Sequence, residues 1–322
     1  MSISALAPAA MAALVVAASA GAQLSAPSSW TTAPPLLQAR AAHAVVRVGD
    51  SILAIGGTDA NGYPVSSVER FDGHRWRPET RLPVSGGLNA TAAVAIGTRV
   101  YVLGGFVGTG NVPTARVSVY DTATRTWSRA ADLPSPRGGH AAVVLAGRIH
   151  VLGGGNSVST LADHSVYDPA TNRWSSAAPL SRSKGSPAAV LFGGRIYAIG
   201  GRSGTSDYGD VEIYDEAADR WTAGPPIPPR GTAGAAVYGR SIYLFGGESQ
   251  SAGRTLADVL RLRSGAHAWE RAGRMPTARA FARAVTYRGA VYVVGGSRVT
   301  ASSHAAPGAR VVDRFVLPAG SR

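Results

Sequence analysis

Apolar residues recur along this chain in short bursts that alternate with polar neighbours. Six of the bursts end on a glycine pair: Gly56-Gly57, Gly104-Gly105, Gly153-Gly154, Gly200-Gly201, Gly246-Gly247 and Gly295-Gly296. The pairs stand 46 to 49 residues apart. Alternation with period two marks a half-buried strand, so residues 52–55, 100–103, 196–199 and 291–294 read as strands. Upstream lies another apolar stretch, as at 43–48, 142–145 and 235–238, joined to the next by a tight turn containing Gly or Asp. Each such pair predicts a hairpin.

After a variable loop each repeat carries a third strand, which ends on an aromatic and an aspartate: Phe71-Asp72, Tyr120-Asp121, Tyr167-Asp168 and Tyr214-Asp215. The aspartate suits an Asx-type turn. A fourth strand starts at a tryptophan, namely Trp76, Trp127, Trp174, Trp221 or Trp269. The sixth tryptophan, Trp30, has no preceding strands, whereas the last repeat has a third strand at 311–317 and no tryptophan after it. The two ends of the chain complete each other, and all six tryptophans read as scaffold residues.

These residues resemble the Kelch repeat: an apolar strand, Gly-Gly, a spaced Tyr and Trp, then a Pro near the next repeat. The resemblance covers about residues 28 to 318 and implies an all-β fold, a six-bladed Kelch-type β-propeller whose last blade is closed by the N-terminal strand. The fifth repeat departs from the pattern, with Leu262-Arg263 in place of the aromatic and aspartate.

The first residues hold no charged side chain and include an apolar, Ala-rich stretch, followed by the small-residue patterns Ala18-Ser19-Ala20 and Ala20-Gly21-Ala22. This reads as a signal peptide over 1–22, cleaved after Ala20 or Ala22, with the propeller over 23–322. An exported protein, periplasmic or secreted, is expected, with no membrane span in the mature chain. The absence of cysteine excludes disulfides, thiolate metal sites and a thiol nucleophile. The histidines and acids form no metal-ligand pattern, so neither metal nor cofactor is expected.

The net charge is +13, and Lys184 is the single lysine. Such a charge constrains partners more than fold. Sixteen residues before each glycine pair stand Arg40, Leu88, Arg137, Lys184, Arg230 and Arg279. Equivalent positions in a rotationally repeated fold form a ring, so the five cations either crown one channel mouth and take an anionic ligand or bond loop carbonyls of neighbouring blades. Arg283 and the post-glycine Arg202, Arg254 and Arg298 are expected on the same face. Nucleic-acid binding needs free aromatics for stacking, and the repeat uses every tryptophan, so it is not expected.

Glu248 directly follows the fifth glycine pair, and Arg254 comes six residues later. This segment resembles the periplasmic Kelch mutarotases that interconvert anomers of N-acetylneuraminate, in which a loop of the form GE, five residues, RT carries the catalytic Glu and Arg. The resemblance implies a carboxylate that moves a proton from the anomeric hydroxyl to the ring oxygen, and an arginine that holds the substrate carboxylate. Galactose oxidase-like copper chemistry needs a Tyr-Cys cross-link, which a chain without cysteine cannot form. The leading expectation is a monomeric, noncatalytic binding module whose loop face takes a protein, a glycan or a small anion. The mutarotase, with Glu248 and Arg254 as catalytic residues, is the alternative.

Overall fold

The computed structural model describes residues 29–301 and 304–317; the leader expected over 1–22 lies outside them. The described residues form strands, turns and loops. No helix among them is long and apolar enough to cross a membrane.

Six four-stranded antiparallel sheets account for the repeats. In the first, Ala44–Val48, Ser51–Ile55, Ser67–Phe71 and Trp76–Arg81 follow one another in chain order. The last sheet combines Arg283–Tyr287, Ala290–Val294 and Val312–Val316 with Ser29–Thr32 from the other end of the chain. Trp30 there lies opposite Phe315, in the register that places Phe71 opposite Trp76, Tyr120 opposite Trp127, Tyr167 opposite Trp174 and Tyr214 opposite Trp221. The ring centroids of these five pairs are 4.9 to 5.1 Å apart.

The tryptophans also join one sheet to the next. Trp76 donates its indole N–H to the Pro34 carbonyl at 3.0 Å, Trp174 to Ala131 at 2.9 Å, Trp221 to Ala178 at 2.8 Å and Trp269 to Pro225 at 2.9 Å. Trp127 donates to Thr80 Oγ1 at 3.1 Å. Each acceptor lies in or just after the outer strand of the preceding sheet. A large aromatic thus contributes apolar burial on one side and a satisfied donor on the other.

The core is distributed between neighbouring sheets. Val46, Leu53, Ile55 and Val68 of the first repeat pack with Val100, Val102 and Tyr120 of the second. Ile52, Phe71 and Trp76 of the first pack with Tyr287, Tyr292 and Val294 of the last. The first strands of successive sheets lie side by side, and Arg283–Tyr287 of the last sheet lies beside Ala44–Val48 of the first.

Backbone sterics explain the glycine pairs. The first glycine of each pair has φ between 50° and 60°, and a Cβ there would come within 2.4 to 2.7 Å of a backbone carbonyl oxygen of the next repeat. The second glycine donates its N–H to that same carbonyl. Gly57 donates to Leu88, Gly105 to Arg137, Gly154 to Lys184, Gly201 to Arg230, Gly247 to Arg279 and Gly296 to Arg40, at 2.8 to 3.0 Å. Only glycine accepts both the left-handed backbone and the close approach.

The pairing of Trp30 with Phe315 makes a stability prediction. Trp30→Ala removes a ring that packs on Phe245 and Phe315 and should cost about 3 kcal/mol, read as a lower urea midpoint. An unchanged midpoint would show that the amino-terminal strand does not hold the last sheet.

Candidate functional site

Each of the five cations expected at a channel mouth sits inside its own sheet, at most 3% exposed. Arg40 pairs with Glu69 at 2.9 Å, Arg137 with Asp163 at 2.7 Å, Lys184 with Glu212 at 2.7 Å, Arg230 with Asp258 at 2.7 Å and Arg279 with Asp313 at 2.6 Å. Lys184 also bonds Asp210. The four arginines donate in addition to the carbonyl of the first glycine sixteen residues on: Gly56, Gly153, Gly246 and Gly295 respectively, at 2.6 to 3.3 Å. The geometry gives these side chains carbonyl and carboxylate partners within their own repeat, not the loop carbonyls of neighbouring blades. The expectation of a ligand-binding crown at Arg40, Arg137, Lys184, Arg230 and Arg279 is corrected accordingly: buried and paired, they have no face to offer an anion.

The second repeat makes the same point by exception. Leu88 replaces the cation there, and the third strand carries Arg116 and Ser118 where the other repeats place their carboxylates. Arg116 Nε donates to Ser118 Oγ at 3.1 Å. Cation and carboxylate are present together or absent together, as partners in a buried pair should be. Burial pulls the Arg279 guanidinium down and pushes the Asp313 carboxyl up, each against its partner's opposing charge.

Two residues after the cation position, the chain turns left-handed in every repeat: Ala42, Ala90, Ser186, Thr232 and Phe281 have φ of 48° to 58°, and Gly139 has 62°. The N–H of each of these residues donates to the carbonyl of its counterpart in the preceding repeat: Ala90 to Ala42, Gly139 to Ala90, Ser186 to Gly139, Thr232 to Ser186, Phe281 to Thr232 and Ala42 to Phe281, at 2.6 to 3.3 Å. Five non-glycine residues in this region are strained, and such strain persists only where the surroundings impose it.

The position just after each glycine pair varies instead: Thr58, Phe106, Gly155, Arg202, Glu248 and Ser297. A segment of the last repeat lies across these residues. Thr58 Oγ1 donates to the Ala306 carbonyl at 2.6 Å, and Arg202 Nη1 to the Ala301 carbonyl at 2.8 Å. The Ala301 N–H donates to Glu248 Oε2 at 3.2 Å. His304 lies against Phe106 and Phe281, with ring centroids 5.5 and 5.7 Å away, and shares a 2.9 Å hydrogen bond with Ser186 Oγ.

Glu248 is completely buried, with Oε1 3.0 Å from Arg202 Nη1. Burial raises its carboxyl above the usual range, and Arg202 opposes that shift. Arg254 is not brought to this carboxylate: it is exposed, and Thr255 is the residue opposite Glu248 across the short hairpin. The expected pairing of Glu248 with Arg254 is thereby corrected: the arginine beside Glu248 is Arg202. Arg202, Phe106, Thr160, Ser186 and His304 line a cavity of about 280 Å³. Phe106 and His304 also border a second cavity of about 340 Å³, beside Asn111 and Asn156. Sequence reading placed Arg202 and Glu248 on this face but missed their contact. The signal was their shared register, one residue after a glycine pair.

His43 and His140 are buried between repeats; the His43 ring makes no hydrogen bond, and the His140 ring lies against the Leu103 carbonyl. Desolvation, helped by nearby arginine charge, holds His140 down at about 3 and His43 well below the ordinary value of 6.5. His150 and His164 share a buried 2.9 Å hydrogen bond, and desolvation lowers both to about 4. Among the described residues no three His, Asp or Glu side chains converge as metal ligands.

Repeated four-stranded sheets with inter-sheet cores, joined through glycine-pair hydrogen bonds, define a β-propeller. Residues 22–187, half of the chain, match the KLHDC2/KLHL20/DRC7 Kelch-repeats domain, and 184–228 match the Kelch motif. The chain belongs to the Kelch-repeat family. It is 34% identical over 125 residues to Kelch-like protein 36 of Mus musculus, covering 36% of this chain and 20% of that protein. To Kelch-like protein 23 of Homo sapiens it is 30% identical over 137 residues, covering 42% of this chain and 24% of that protein. The chain therefore spans about a fifth to a quarter of the length of these relatives. The solved structure of YjhT shares the fold, with a TM-score of 0.77 at 15% identity over 90% of this chain and 98% of that one.

Two predictions follow from the buried charges and histidines. Arg279→Met alone should cost about 3–5 kcal/mol because it strands the Asp313 carboxylate, whereas Arg279→Met with Asp313→Leu should recover most of that loss. Urea unfolding of the single and double variants reads the difference; equal losses would remove the pair from the scaffold. The folded-state depression of His140, His150 and His164 makes the unfolded chain bind more protons below pH 6.5. Stability is then fully present above that pH and falls as pH drops toward 3–4, by at least about 1.4 kcal/mol per pH unit. A urea midpoint that stays constant between about pH 7 and pH 5 would contradict it.

Proposed function

We propose that this chain is a noncatalytic interaction module: a six-bladed propeller closed by its N-terminal strand, exported from the cell, which takes a protein partner on the face where the post-glycine loops emerge. Two cycles of backbone hydrogen bonds support the closed six-bladed reading, because each returns from the last repeat to the first. The apolar leader before Ala22 supports export, and amino-terminal sequencing of the secreted or periplasmic protein tests it.

The observation that carries the interaction role is the placement of exposed apolar side chains. Tyr63, Val112, Val158 and Val299 are 59, 61, 92 and 51% exposed, and all four lie on loops that follow a glycine pair. Apolar groups gathered on one face of a folded chain mark a contact surface for another macromolecule. Their aliphatic and phenolic character suits a protein better than a glycan or a free anion.

A single experiment tests this reading. Peptides selected from a random display library on the wild-type protein should bind a Val112→Asp/Val158→Asp variant at least about tenfold more weakly. They should bind a Leu191→Asp variant unchanged, since Leu191 is exposed at the other end of a first strand. Equal binding to all three proteins would overturn the loop face as the contact surface.

The buried Glu248 carboxyl, raised by desolvation beside Arg202, favours a second reading, an N-acetylneuraminate mutarotase-like enzyme. A raised carboxyl beside an arginine that itself borders a cavity suits proton transfer at a sugar hydroxyl. In that case Arg202, not Arg254, would hold the substrate carboxylate. Following sialic acid anomers by NMR decides it: equilibration at the buffer rate, or at an equal rate in wild type and Glu248→Gln, excludes this chemistry.

A further inference from the structure

The channel between the first strands carries one residue out of keeping with its neighbours. At the first or second residue of the inner wall the repeats place Ala44, Ala92, Ala141, Ala188 and Gly234, and the last repeat places Arg283. These residues border a cavity of about 130 Å³. Small side chains keep the bore open, and the one long side chain extends into space that five repeats leave free.

No acidic side chain lines this cavity. Among the described residues, no ion pair and no hydrogen bond engages the Arg283 guanidinium, in contrast to the paired cations Arg40, Arg137, Lys184, Arg230 and Arg279. Burial alone lowers Arg283, to about 10. His140 borders the same cavity, is 4% exposed, and has the Leu103 carbonyl beside its ring as a hydrogen-bond acceptor. Held down to about 3, it is neutral near pH 7 and brings no charge to the cavity, so Arg283 is the charged group of the lining. Thr91 also lines the cavity, its hydroxyl donated to the Leu103 carbonyl at 2.9 Å. Arg283 is half-buried rather than sealed off, and a partly desolvated charge without a partner in the protein favours an anion that can reach it.

We propose that this channel is an anion site, in which Arg283 holds a small monovalent anion, of halide or carboxylate size, between the first strands. The cavity fixes the size class: about 130 Å³ is the liquid volume of roughly four waters, enough for chloride or formate with residual water and too small for an extended polyanion. The guanidinium supplies charge and planar donors, and the alanine wall supplies a low-dielectric surround that strengthens the pairing. The anion offsets the one channel cation that the fold leaves uncompensated. This site lies below the loops proposed to meet a partner, so the two readings stand or fall separately.

The test compares thermal unfolding of the full chain in chloride, formate and gluconate at equal ionic strength. Gluconate controls for screening, since it is too large for the bore. At about 0.1 M, chloride or formate should raise Tm by about 3 °C or more above gluconate. A rise with chloride alone assigns a halide site, and a rise with formate alone assigns a carboxylate site. Arg283→Met should abolish the difference between salts, and Arg283→Lys should keep part of it. Chlorine-35 line broadening by the wild type, relieved in Arg283→Met, provides a second readout that does not depend on the variant's stability. Equal Tm in all three salts, or an anion effect that survives in Arg283→Met, would overturn the proposal.

Discussion

One hydrogen bond, repeated, holds this architecture together: the N–H of the second glycine of each pair reaching the carbonyl of the cation-position residue in the next repeat. It couples neighbouring sheets through backbone, so it is independent of side-chain identity except at the two glycines. A methyl group on the first would meet that same carbonyl at 2.4 to 2.7 Å, and one on the second, at φ of 93° to 113°, would meet the carbonyl of the residue after its own repeat's cation position at 2.6 to 3.0 Å. The requirement is steric as well as conformational, which is why a glycine pair, and not a single glycine, recurs through the chain. A side chain at the first position would push the sheets apart and expose the apolar residues packed between them.

The buried cations stabilise the same junction from the side-chain direction. The carbonyl of the first glycine accepts from the arginine sixteen residues earlier, which in turn pairs with a carboxylate on the third strand. One guanidinium thus ties together the loop before the first strand, the end of the second strand and the third strand. An ion pair of this kind adds little net stability over an apolar substitute, but it penalises every register in which one partner is left alone. In a fold of six similar sheets the discrimination between registers is a more useful contribution than energy.

The repeat, the Trp30 complement and the all-β class were legible in the sequence because each rests on spacing alone. Trp30 and the incomplete last repeat needed no coordinates to be matched. The cations were legible as a ring and misjudged as a ligand site, although the chain held the correcting information: Leu88 coincides with Arg116 and Ser118, in the one repeat that lacks both the cation and the acid at the paired positions. What spacing could not give was the direction of side chains after the glycine pair. Glu248 and Arg254 are near in sequence and on the same hairpin, yet the pleat sends Thr255 opposite Glu248 and leaves Arg254 in solvent. Arg202 reaches Glu248 from a different repeat, a contact that depends on how the sheets are arranged about their axis and not on any interval along the chain.

A repeated fold offers its own control for separating scaffold from function. Where equivalent positions hold the same residue type, as with glycine pairs, tryptophans and buried cations, the repetition itself accounts for the residue through a bond made in at least five of the six sheets. Where they differ, no bond common to all sheets explains them. Thr58, Phe106, Gly155, Arg202, Glu248 and Ser297 occupy one equivalent position and span hydroxyl, aromatic, bare backbone, cation and anion. Four of the six meet Ala301, His304 or Ala306 of a single segment, so part of their diversity is explained by an asymmetric neighbour laid across a symmetric mouth. Arg283 is the case that this reasoning does not absorb. It breaks a row of alanine and glycine, touches no counter-charge, and faces a bore shared by all six repeats. An exception that makes no bond within the protein is the place where a bond to something outside it is to be expected.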